Sequence, residues 1–287
     1  MVTRALVLGG GGVTGVAWEL GVLQALDADG VPVGAADLLV GTSAGSVVAA
    51  QLSSGVGLDR LLAAQLEPPD ASRERAVDFD VEKVASAFAA LAEGAHDPRE
   101  LRARVGAMAL SAPTVPEAER LEVIRARLPA PDWPERRLLI TAVDTASGEL
   151  VVWDRGSRVP LLLAVAASCA VPGVAPPVTI DGRRYMDGGV RSSTNADLAA
   201  GHDVVLVLAP MGGLGRDAAG WGPDGELDAL RSSRRVVIIS PDEASVAAIG
   251  PNVLDPARRA AAARAGQAQG RDVVDEVLAL WAAPADR

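Results

Sequence analysis

Hydrophobic and polar positions follow a repeated order at the start of the chain. Residues 4–8 form a short apolar run that ends at glycine, which is typical of a buried strand, and residues 16–28 carry apolar side chains at helical spacing. Residues 37–40 repeat the apolar run, and small residues from 44 to about 53 then predict a second helix. This order of strand, helix, strand and helix predicts a parallel sheet with helices packed on its faces.

The pattern changes between residues 67 and 135, where apolar stripes alternate with Arg and Glu. Because strands resume after this stretch, we interpret it as a helical insertion and not as a separate domain. The remaining apolar runs predict strands at 138–143, 150–153, 204–209 and 236–240, a buried helix at 161–169, a hairpin at 179–186, and a C-terminal helical extension at about 255–283 with a break near Gly270.

The whole pattern predicts one α/β domain over residues 1–287, because neither an internal repeat nor a linker interrupts the sequence. We expect a mostly parallel central sheet with helices on both faces. The core that bears the chemical motifs would cover residues 5 to about 240, with the helical insertion at about 67–135 inside it.

The composition excludes several classes of protein. Hydrophobic residues make up 49% of the 287 residues, which is enough to build a large core. A single Cys and 2 His residues argue against a disulfide framework and a Cys/His zinc site, so we expect no metal and no cofactor. The 37 acidic side chains outnumber the 27 Lys and Arg side chains, and a net charge of −10 disfavours nucleic acid and anionic membranes as partners.

Signals for export and for membrane insertion are weak in this sequence. The N-terminal apolar run is too short for a signal peptide, and the longest apolar run, 161–167, is far shorter than the roughly 20 residues of a membrane span. We therefore expect a cytoplasmic protein. Contact with a membrane surface would be transient and would use apolar side chains such as Trp221. The helices of the insertion either form a lid or simply cover the core.

The first chemical motif is the glycine sequence that begins with Gly10, Gly11 and Gly12 and ends at Gly15, between the first predicted strand and helix. Glycine lets the backbone turn tightly and leaves N–H groups exposed at the positive end of the helix dipole. Such a loop binds negative charge, which is either a phosphate or an oxyanion that forms during a reaction.

The second motif is G-x-S-x-G, with Ser43 at its centre, between the second predicted strand and helix. In this position the motif is typical of a nucleophile elbow, whose strained backbone exposes the serine hydroxyl. The carboxyl ends of neighbouring parallel strands share one edge of a sheet. We therefore expect the glycine loop and Ser43 to lie side by side.

A nucleophilic serine needs a base, and the sequence offers histidine and aspartate. His202 follows Ser43 in the order of a Ser-acid-His triad, but it immediately precedes a parallel strand and is expected at the opposite edge of the sheet. His96 is expected in a surface loop. Asp187 ends a predicted strand and is followed by two glycines, which let the chain turn sharply and let another loop approach.

Asp187 is the favoured base, although Asp before Gly is also typical of a residue that only caps a turn. The competing aspartates lack the double glycine that follows Asp187, and they are Asp144, Asp154, Asp181 and Asp203.

In this order, the motifs at 10–15, 41–45 and 187–189 resemble those of the patatin-like phospholipases. Shorter matches at 167–173, 176–178 and 195–199 extend the resemblance over most of the chain, from residue 6 to about 240. The resemblance implies a three-layer patatin-type α/β fold. It also implies an enzyme that hydrolyses carboxylic esters of lipids, either phospholipids or acylglycerols, with a Ser-Asp dyad and an acyl-enzyme.

By match of position, the resemblance assigns Ser43 as the nucleophile and Asp187 as its base. It assigns Gly10, Gly11 and Gly12 to the oxyanion loop. Thr14 departs from the family pattern, which usually has Arg or Lys there. This missing charge weakens the case for a preference for phospholipid headgroups but leaves the backbone N–H groups in place.

Two other classes of function stay open. A dinucleotide-binding oxidoreductase would explain Gly10-x-Gly12-x-x-Gly15, but its ribose-binding acid belongs at the end of the second strand, where this chain has the serine motif. A catalytically weak or silent lipid-binding or regulatory protein with the same fold is the second alternative, since fold does not determine function. The pattern favours no particular oligomeric state.

Overall fold

The structure is a computed structural model that describes residues 2–69, 77, 81–212, 230 and 235–281, with the backbone alone at 81–85. The strands are β1 (Arg4–Leu8), β2 (Leu38–Gly41), β3 (Arg137–Asp144), β4 (Leu150–Trp153), β5 (Val178–Ile180), β6 (Arg183–Asp187), β7 (Val204–Leu208) and β8 (Arg235–Ile239). The helices are α1 (Gly12–Ala28), α2 (Ala44–Leu52), α3 (Leu58–Leu66), α4 (Val81–Ala92), α5 (Pro98–Ser111), α6 (Glu117–Arg127), α7 (Leu161–Ser168), α8 (Glu243–Ile249), α9 (Arg259–Asp272) and α10 (Val274–Trp281). Trp221 lies outside the described residues.

The described strands form one sheet with the hydrogen-bonded order β5-β6-β3-β2-β1-β7-β8, and β4 also pairs with β3. β1 pairs in parallel with β2 and β7, β2 with β3, and β7 with β8. The antiparallel pairs are β3 with β4, β3 with β6, and β5 with β6. The sheet is therefore mostly parallel, and the predicted α/β fold class is confirmed.

The side chains of β1 show how the two faces of the sheet are covered. Leu6 and Leu8 belong to the large hydrophobic cluster that the sheet forms with α1, α2 and α7. Ala5 and Val7 point to the other face and belong to a second cluster. This alternation is the period of two that a strand requires when both of its faces are buried.

The helical insertion supplies cover to both faces of the sheet. Phe88 of α4 and Val105 of α5 pack with Val143 of β3 in a third cluster. Ile124 of α6 instead joins the large cluster on the α1 and α2 face. The insertion therefore extends around the sheet, and at least part of its apolar surface covers the core.

Several helix boundaries differ from the sequence prediction. α1 begins at Gly12 and not at residue 16, so the end of the glycine motif forms the first helical turn. The C-terminal extension is divided at Val273 into α9 and α10, after the predicted break at Gly270. The pattern did not predict α3 or α8. The sequence does contain a signal for the start of α8, which is the capping residue Asp242. In the structure Asp242 accepts a hydrogen bond from the Ser245 N–H at 2.7 Å and caps the helix.

One edge of β3 pairs with two strands in succession, and this arrangement positions the site. Ile140 pairs with Gly41 of β2, and Ala142 pairs with Asp187 of β6. Ile140 and Ala142 both pair with β4 on their opposite edge. β6 therefore lies on the same edge of β3 as β2, and its last residue lies beside the turn that follows β2.

Candidate active site

Ser43 occupies the turn between β2 and α2 with φ of 51° and ψ of −114°. Such a backbone costs a non-glycine residue about 1–3 kcal/mol. Two serines stabilise the turn: the Ser43 N–H donates to Ser168 Oγ at 2.9 Å, and Ser46 Oγ donates to the Ser43 carbonyl at 2.6 Å. Gly45 lets the turn lie against β1, because a Cβ there would collide with the Leu8 carbonyl. The turn has the geometry of a nucleophile elbow.

The glycine loop joins β1 to α1 and passes beside this elbow, since a Cβ on Gly10 would lie 3.5 Å from the Cβ of the elbow serine. The Gly10 N–H donates to the Ser193 carbonyl at 2.7 Å. The N–H groups of Gly11, Gly12 and Ala44 have no acceptor among the described residues. Gly12 and Ala44 begin α1 and α2, so their N–H groups lie at helix N-termini, where the dipole favours negative charge.

Asp187 ends β6 and is buried, with 5% of its surface exposed. The Gly189 N–H donates to its Oδ1 at 2.7 Å, whereas Oδ2 has no hydrogen-bond partner within the described ranges. Burial raises the pKa of Asp187 to about 7, and this rise is opposed by the Ser43 side chain, the Gly189 N–H and the charge of Arg120. The Ser43 hydroxyl therefore lies near this carboxyl, although not in ordinary hydrogen-bond geometry with Oδ2.

A buried polar network joins the elbow, β3 and the loop that follows Asp187. Asn195 is fully buried, and its Nδ2 lies 3.0 Å from Thr42 Oγ1, 3.3 Å from Thr141 Oγ1, 3.3 Å from the Gly188 carbonyl and 2.8 Å from the Ser192 carbonyl. The Thr42 and Thr141 hydroxyls lie 2.9 Å apart. Sequence analysis gave Asn195 no role beyond its place in the resemblance, because the residues it joins are far apart in the chain.

The first glycine after Asp187 is required by close packing. A Cβ on Gly188 would collide with the side chain and the carbonyl of Thr141. Since Thr141 lies in β3, this contact holds the end of β6 against the sheet. The double glycine therefore allows the approach that the sequence pattern predicts.

The four competing aspartates have structural roles in the described part of the chain. Asp144 forms an ion pair with Arg183, and Asp154 accepts a hydrogen bond from the Gly156 N–H. Asp203 accepts hydrogen bonds from the N–H and the hydroxyl of Thr3. Asp181 occupies the turn between β5 and β6 with φ of 49°. These structural roles account for the four aspartates without assigning any of them a part in catalysis.

Both histidines lie away from Ser43. His202 lies just before β7, whose first residue, Val204, pairs with Arg4 at the start of β1, whereas the glycine loop follows the end of β1. His202 Nδ1 lies 3.1 Å from the Ala199 carbonyl. His96 is exposed in the loop before α5, where its backbone N–H donates to the Glu100 carboxylate at 2.9 Å.

Thr14 does not face the elbow. It is fully buried, and both its N–H and its hydroxyl donate to the Val253 carbonyl at 3.1 Å. A positive charge is present elsewhere, because Arg120 of α6 lies near enough to Asp187 to lower the pKa of that carboxyl, against the larger effect of burial. No motif in the sequence indicates that Arg120 approaches the site.

The described ranges contain no group of three or more His, Cys, Asp or Glu side chains arranged to hold a metal ion. In the same ranges, every helix is too short or too polar to cross a membrane. The polar groups around Ser43 include the Ser46 and Ser168 hydroxyls, the Cys169 thiol and the Asp187 carboxyl.

The fold and the turn at Ser43 define an α/β protein with the geometry of a nucleophile elbow after its second strand. A model of the patatin-like phospholipase family matches residues 6–200, which is more than half of the chain. The chain belongs to the patatin-like phospholipase family, and the resemblance seen in the sequence is confirmed. Membership supports lipid hydrolase activity in general. No curated protein matches the sequence.

Solved structures match most of the chain at low sequence identity. VipD from Legionella pneumophila has a TM-score of 0.50 and 14% identity, over 96% of this chain and 67% of VipD. The type III effector protein ExoU has a TM-score of 0.43 and 17% identity, over 96% of this chain and 53% of ExoU. ExoU from Pseudomonas aeruginosa in complex with SpcU gives a TM-score of 0.44 with the same identity and coverage. The chain spans about half the length of ExoU.

Proposed function

We propose that the protein is a serine acyl hydrolase that cleaves carboxylic ester bonds of lipids, phospholipids or acylglycerols, through a Ser43–Asp187 dyad. The observation that carries the proposal is the position of Asp187, which is buried beside the elbow serine with a pKa of about 7. A carboxyl with this pKa is half ionised at neutral pH and is a stronger base than an ordinary aspartate.

In the proposed reaction, Asp187 takes the hydroxyl proton while Ser43 Oγ bonds to the ester carbonyl carbon. The bond from this carbon to the alcohol oxygen then breaks, and the proton passes from Asp187 to the leaving alcohol. A water molecule next attacks the acyl-enzyme and gives a proton to Asp187. The bond to Ser43 breaks, the proton returns to Ser43 Oγ, and the carboxylic acid leaves.

We assign the oxyanion to the N–H groups of Gly11 and Gly12, with Ala44 as a third donor. These groups have no acceptor among the described residues, and they lie at the N-termini of two helices. Loss of one such donor typically costs about 3 kcal/mol of transition-state stabilisation. Gly10 belongs to the same loop, but its N–H already donates to Ser193, so its role would be to let the loop pass beside Ser43.

The test is hydrolysis of p-nitrophenyl esters of increasing chain length, together with labelling by a fluorophosphonate. Ser43→Ala is expected to abolish both, and Asp187→Asn is expected to abolish turnover while the protein stays folded. His202→Ala is the matched control and should keep full activity. Activity that survives in Ser43→Ala contradicts the dyad. A folded wild type that binds lipid without hydrolysing any ester of the series would instead support the silent lipid-binding alternative.

A further inference from the structure

The two glycines assigned to the oxyanion pack closely against residues from a later part of the chain. A Cβ on Gly11 would collide with the Pro210 side chain, and a Cβ on Gly12 would collide with the Val253 carbonyl. Gly12 also has φ of 63°, in the left-handed region that favours glycine. Pro210 and Val253 both follow residue 200, where the match to the family model ends. Contacts from outside the matched region therefore hold the glycine loop.

Thr14 makes the polar contact between this loop and the later part of the chain. Its side chain is fully buried, and its N–H and its hydroxyl both donate to the Val253 carbonyl at 3.1 Å. A carbonyl oxygen has two lone pairs, so it can accept both hydrogen bonds. Thr14 is the third residue of α1, and its N–H is one of the first four, which have no acceptor within the helix. The Val253 carbonyl therefore closes the first turn of α1, two residues after Gly12.

Val253 is itself fixed by the core and by the turn around it. Its side chain is 4% exposed and lies in the large hydrophobic cluster. Arg258, which follows the turn, donates to the Ala247 and Ala248 carbonyls at the end of α8, at 3.3 and 3.4 Å. The segment between α8 and α9 is therefore closed on itself, and it presents the Val253 carbonyl to α1 from a defined position.

α9 packs closely along α1 beyond this contact. A Cβ on Gly21 would collide with the Ala263 carbonyl, and a Cβ on Gly266 would collide with the Trp18 carbonyl, so both glycines allow a close approach of the helices. Trp18 Nε1 also donates to Gln269 Oε1 at 3.0 Å. The position of α1, and with it the position of the glycine loop, therefore depends on the C-terminal segment.

We propose that Thr14 is a positioning residue of the proposed reaction. Its hydroxyl, bonded to the Val253 carbonyl, holds the first turn of α1 and so keeps the N–H groups of the oxyanion glycines aimed at the reacting carbonyl. This inference rests on the proposed hydrolysis at Ser43, and Thr14 acts through the backbone of the turn, not through contact with the ester. Oxyanion donors stabilise charge that forms only in the transition state. A displaced loop should therefore lower kcat more than it raises KM.

The first test compares Thr14→Val, which replaces the hydroxyl with a methyl group, with Thr14→Ser, which keeps the donor. Thr14→Val is expected to lower kcat for a p-nitrophenyl ester by roughly tenfold with little change in KM, because small shifts of positioned groups are costly in the transition state. Thr14→Ser is expected to keep most of the activity. Wild-type kcat in Thr14→Val, or an equal loss of kcat in Thr14→Ser, would overturn the proposal.

Thr145→Val is the matched control. Thr145 is also buried, and its N–H and its hydroxyl both donate to a single carbonyl, that of Arg184, at 3.0 Å. The control therefore loses the same kind of hydrogen bond, and its melting temperature should fall about as much as that of Thr14→Val. Its kcat should stay close to that of the wild type. An equal loss of kcat in the two variants would show that Thr14 has only a structural role and would overturn the proposal.

The second test measures the loop by hydrogen exchange, which needs no substrate. The Thr14 and Gly15 amides donate to the carbonyls of Val253 and Gly11, so they should exchange slowly in the wild type. Thr14→Val is expected to speed exchange in the peptide that contains these amides, and Thr145→Val is expected to leave it unchanged. Exchange in Thr14→Val that is as slow as in the wild type would overturn the proposal.

The two tests together separate this inference from the proposed function. If the wild type hydrolyses no ester but exchange is faster in Thr14→Val, the proposed reaction is wrong and the contact that anchors the loop stands. If hydrolysis depends on Ser43 but Thr14→Val keeps wild-type kcat, the positioning role is wrong and the reaction stands. Should Thr14→Val not fold, Val253→Ala shortens the side chain that fixes the same carbonyl, and it is expected to lower kcat and speed exchange; wild-type values there would overturn the proposal.

Discussion

At the residue scale, burial raises the pKa of Asp187, which makes its carboxylate a stronger base but also makes the ionised form unfavourable in the folded protein. The carboxyl accepts one strong hydrogen bond, from Gly189, and the neighbouring Arg120 adds favourable charge. These interactions stabilise the carboxylate less than burial destabilises it, so its pKa rises from 3.8 to about 7. Two measurable consequences follow, one for the reaction and one for stability.

The pH dependence of hydrolysis is the first consequence. In the proposed reaction Asp187 accepts the Ser43 proton only when it is ionised, so kcat/KM for a p-nitrophenyl ester is expected to fall as pH drops, with half of the maximum near pH 7. An ordinary aspartate would keep the rate constant down to about pH 5. The rate of fluorophosphonate labelling should follow the same curve. A plateau that extends unchanged to pH 5 in both measurements would contradict the assignment.

The stability of the fold is the second consequence. The pKa of Asp187 in the folded protein, about 7, lies above its value of 3.8 without the fold. Its contribution to stability is therefore fully present below pH 4 and is lost as pH rises to about 7. Asp187→Asn removes this loss, so the variant should melt at a higher temperature than the wild type at pH 8, with no advantage near pH 4. Thermal melts followed by circular dichroism measure this difference.

A surface variant is the control for these melts. Asp132 is exposed, so Asp132→Asn should change the melting temperature little at either pH. If Asp187→Asn is no more stable than Asp132→Asn at pH 8, the carboxyl is not the buried acid described here.

Sequence identified residues that have local signatures and missed those that depend on distant contacts. Ser43 and the glycines lie in short motifs at strand ends, so their type and spacing were sufficient to predict a common edge of the sheet. Asn195, in contrast, acts through Thr42, Thr141 and Gly188, which come from three other parts of the chain. A single sequence without a motif cannot indicate such contacts.

At the scale of elements, the site depends on how β6 joins β3. β6 pairs with the same edge of β3 as β2 does, and because it is antiparallel to β3 its last residue, Asp187, lies just beyond the point on β3 where β2 ends. Sequence predicted both strands, but the antiparallel pairing that places the end of β6 beside the elbow is a long-range choice. The buried amide of Asn195 connects these elements, so it should influence how Asp187 and Ser43 are aligned.

Asn195→Ala is therefore expected to lower kcat by roughly tenfold or more, with a small effect on KM, because small shifts of positioned groups are costly in the transition state. It should also lower stability by about 1–3 kcal/mol, since several buried acceptors lose their donor. Asn195 has φ of 50°, so Asn195→Gly tests the same loss without backbone strain. Ester kinetics and denaturant unfolding measure the two effects.

Asn252→Ala is the matched control for this network. The Asn252 amide donates to the Val77 carbonyl at 2.7 Å near the surface, and it is not hydrogen-bonded to Thr42, Thr141 or Gly188, the partners of Asn195. Its loss should leave kcat close to that of the wild type. If Asn195→Gly has wild-type kcat, or no larger effect than Asn252→Ala, the network does not position the dyad.

At the scale of the whole molecule, the acidic composition limits how the protein can meet its substrate. The net charge of −10 gives no general attraction to an anionic surface, and the chain has few aromatic residues, at 3% of the total. Attraction to a lipid surface would therefore come from apolar contact and from the acyl chain itself. The sequence alone supports this conclusion, because net charge does not depend on the fold.

The final prediction concerns lipid composition. Replacing part of the zwitterionic lipid of a vesicle with anionic lipid is expected to reduce both binding and release of fatty acid, because the acidic protein is repelled. Added salt should restore part of the loss, since at 0.1 M the charges are screened beyond about 10 Å. Vesicle flotation measures binding, and Ser43→Ala should float like the wild type, which separates binding from turnover. If anionic lipid instead increases flotation at low salt, a local basic surface must outweigh the net charge.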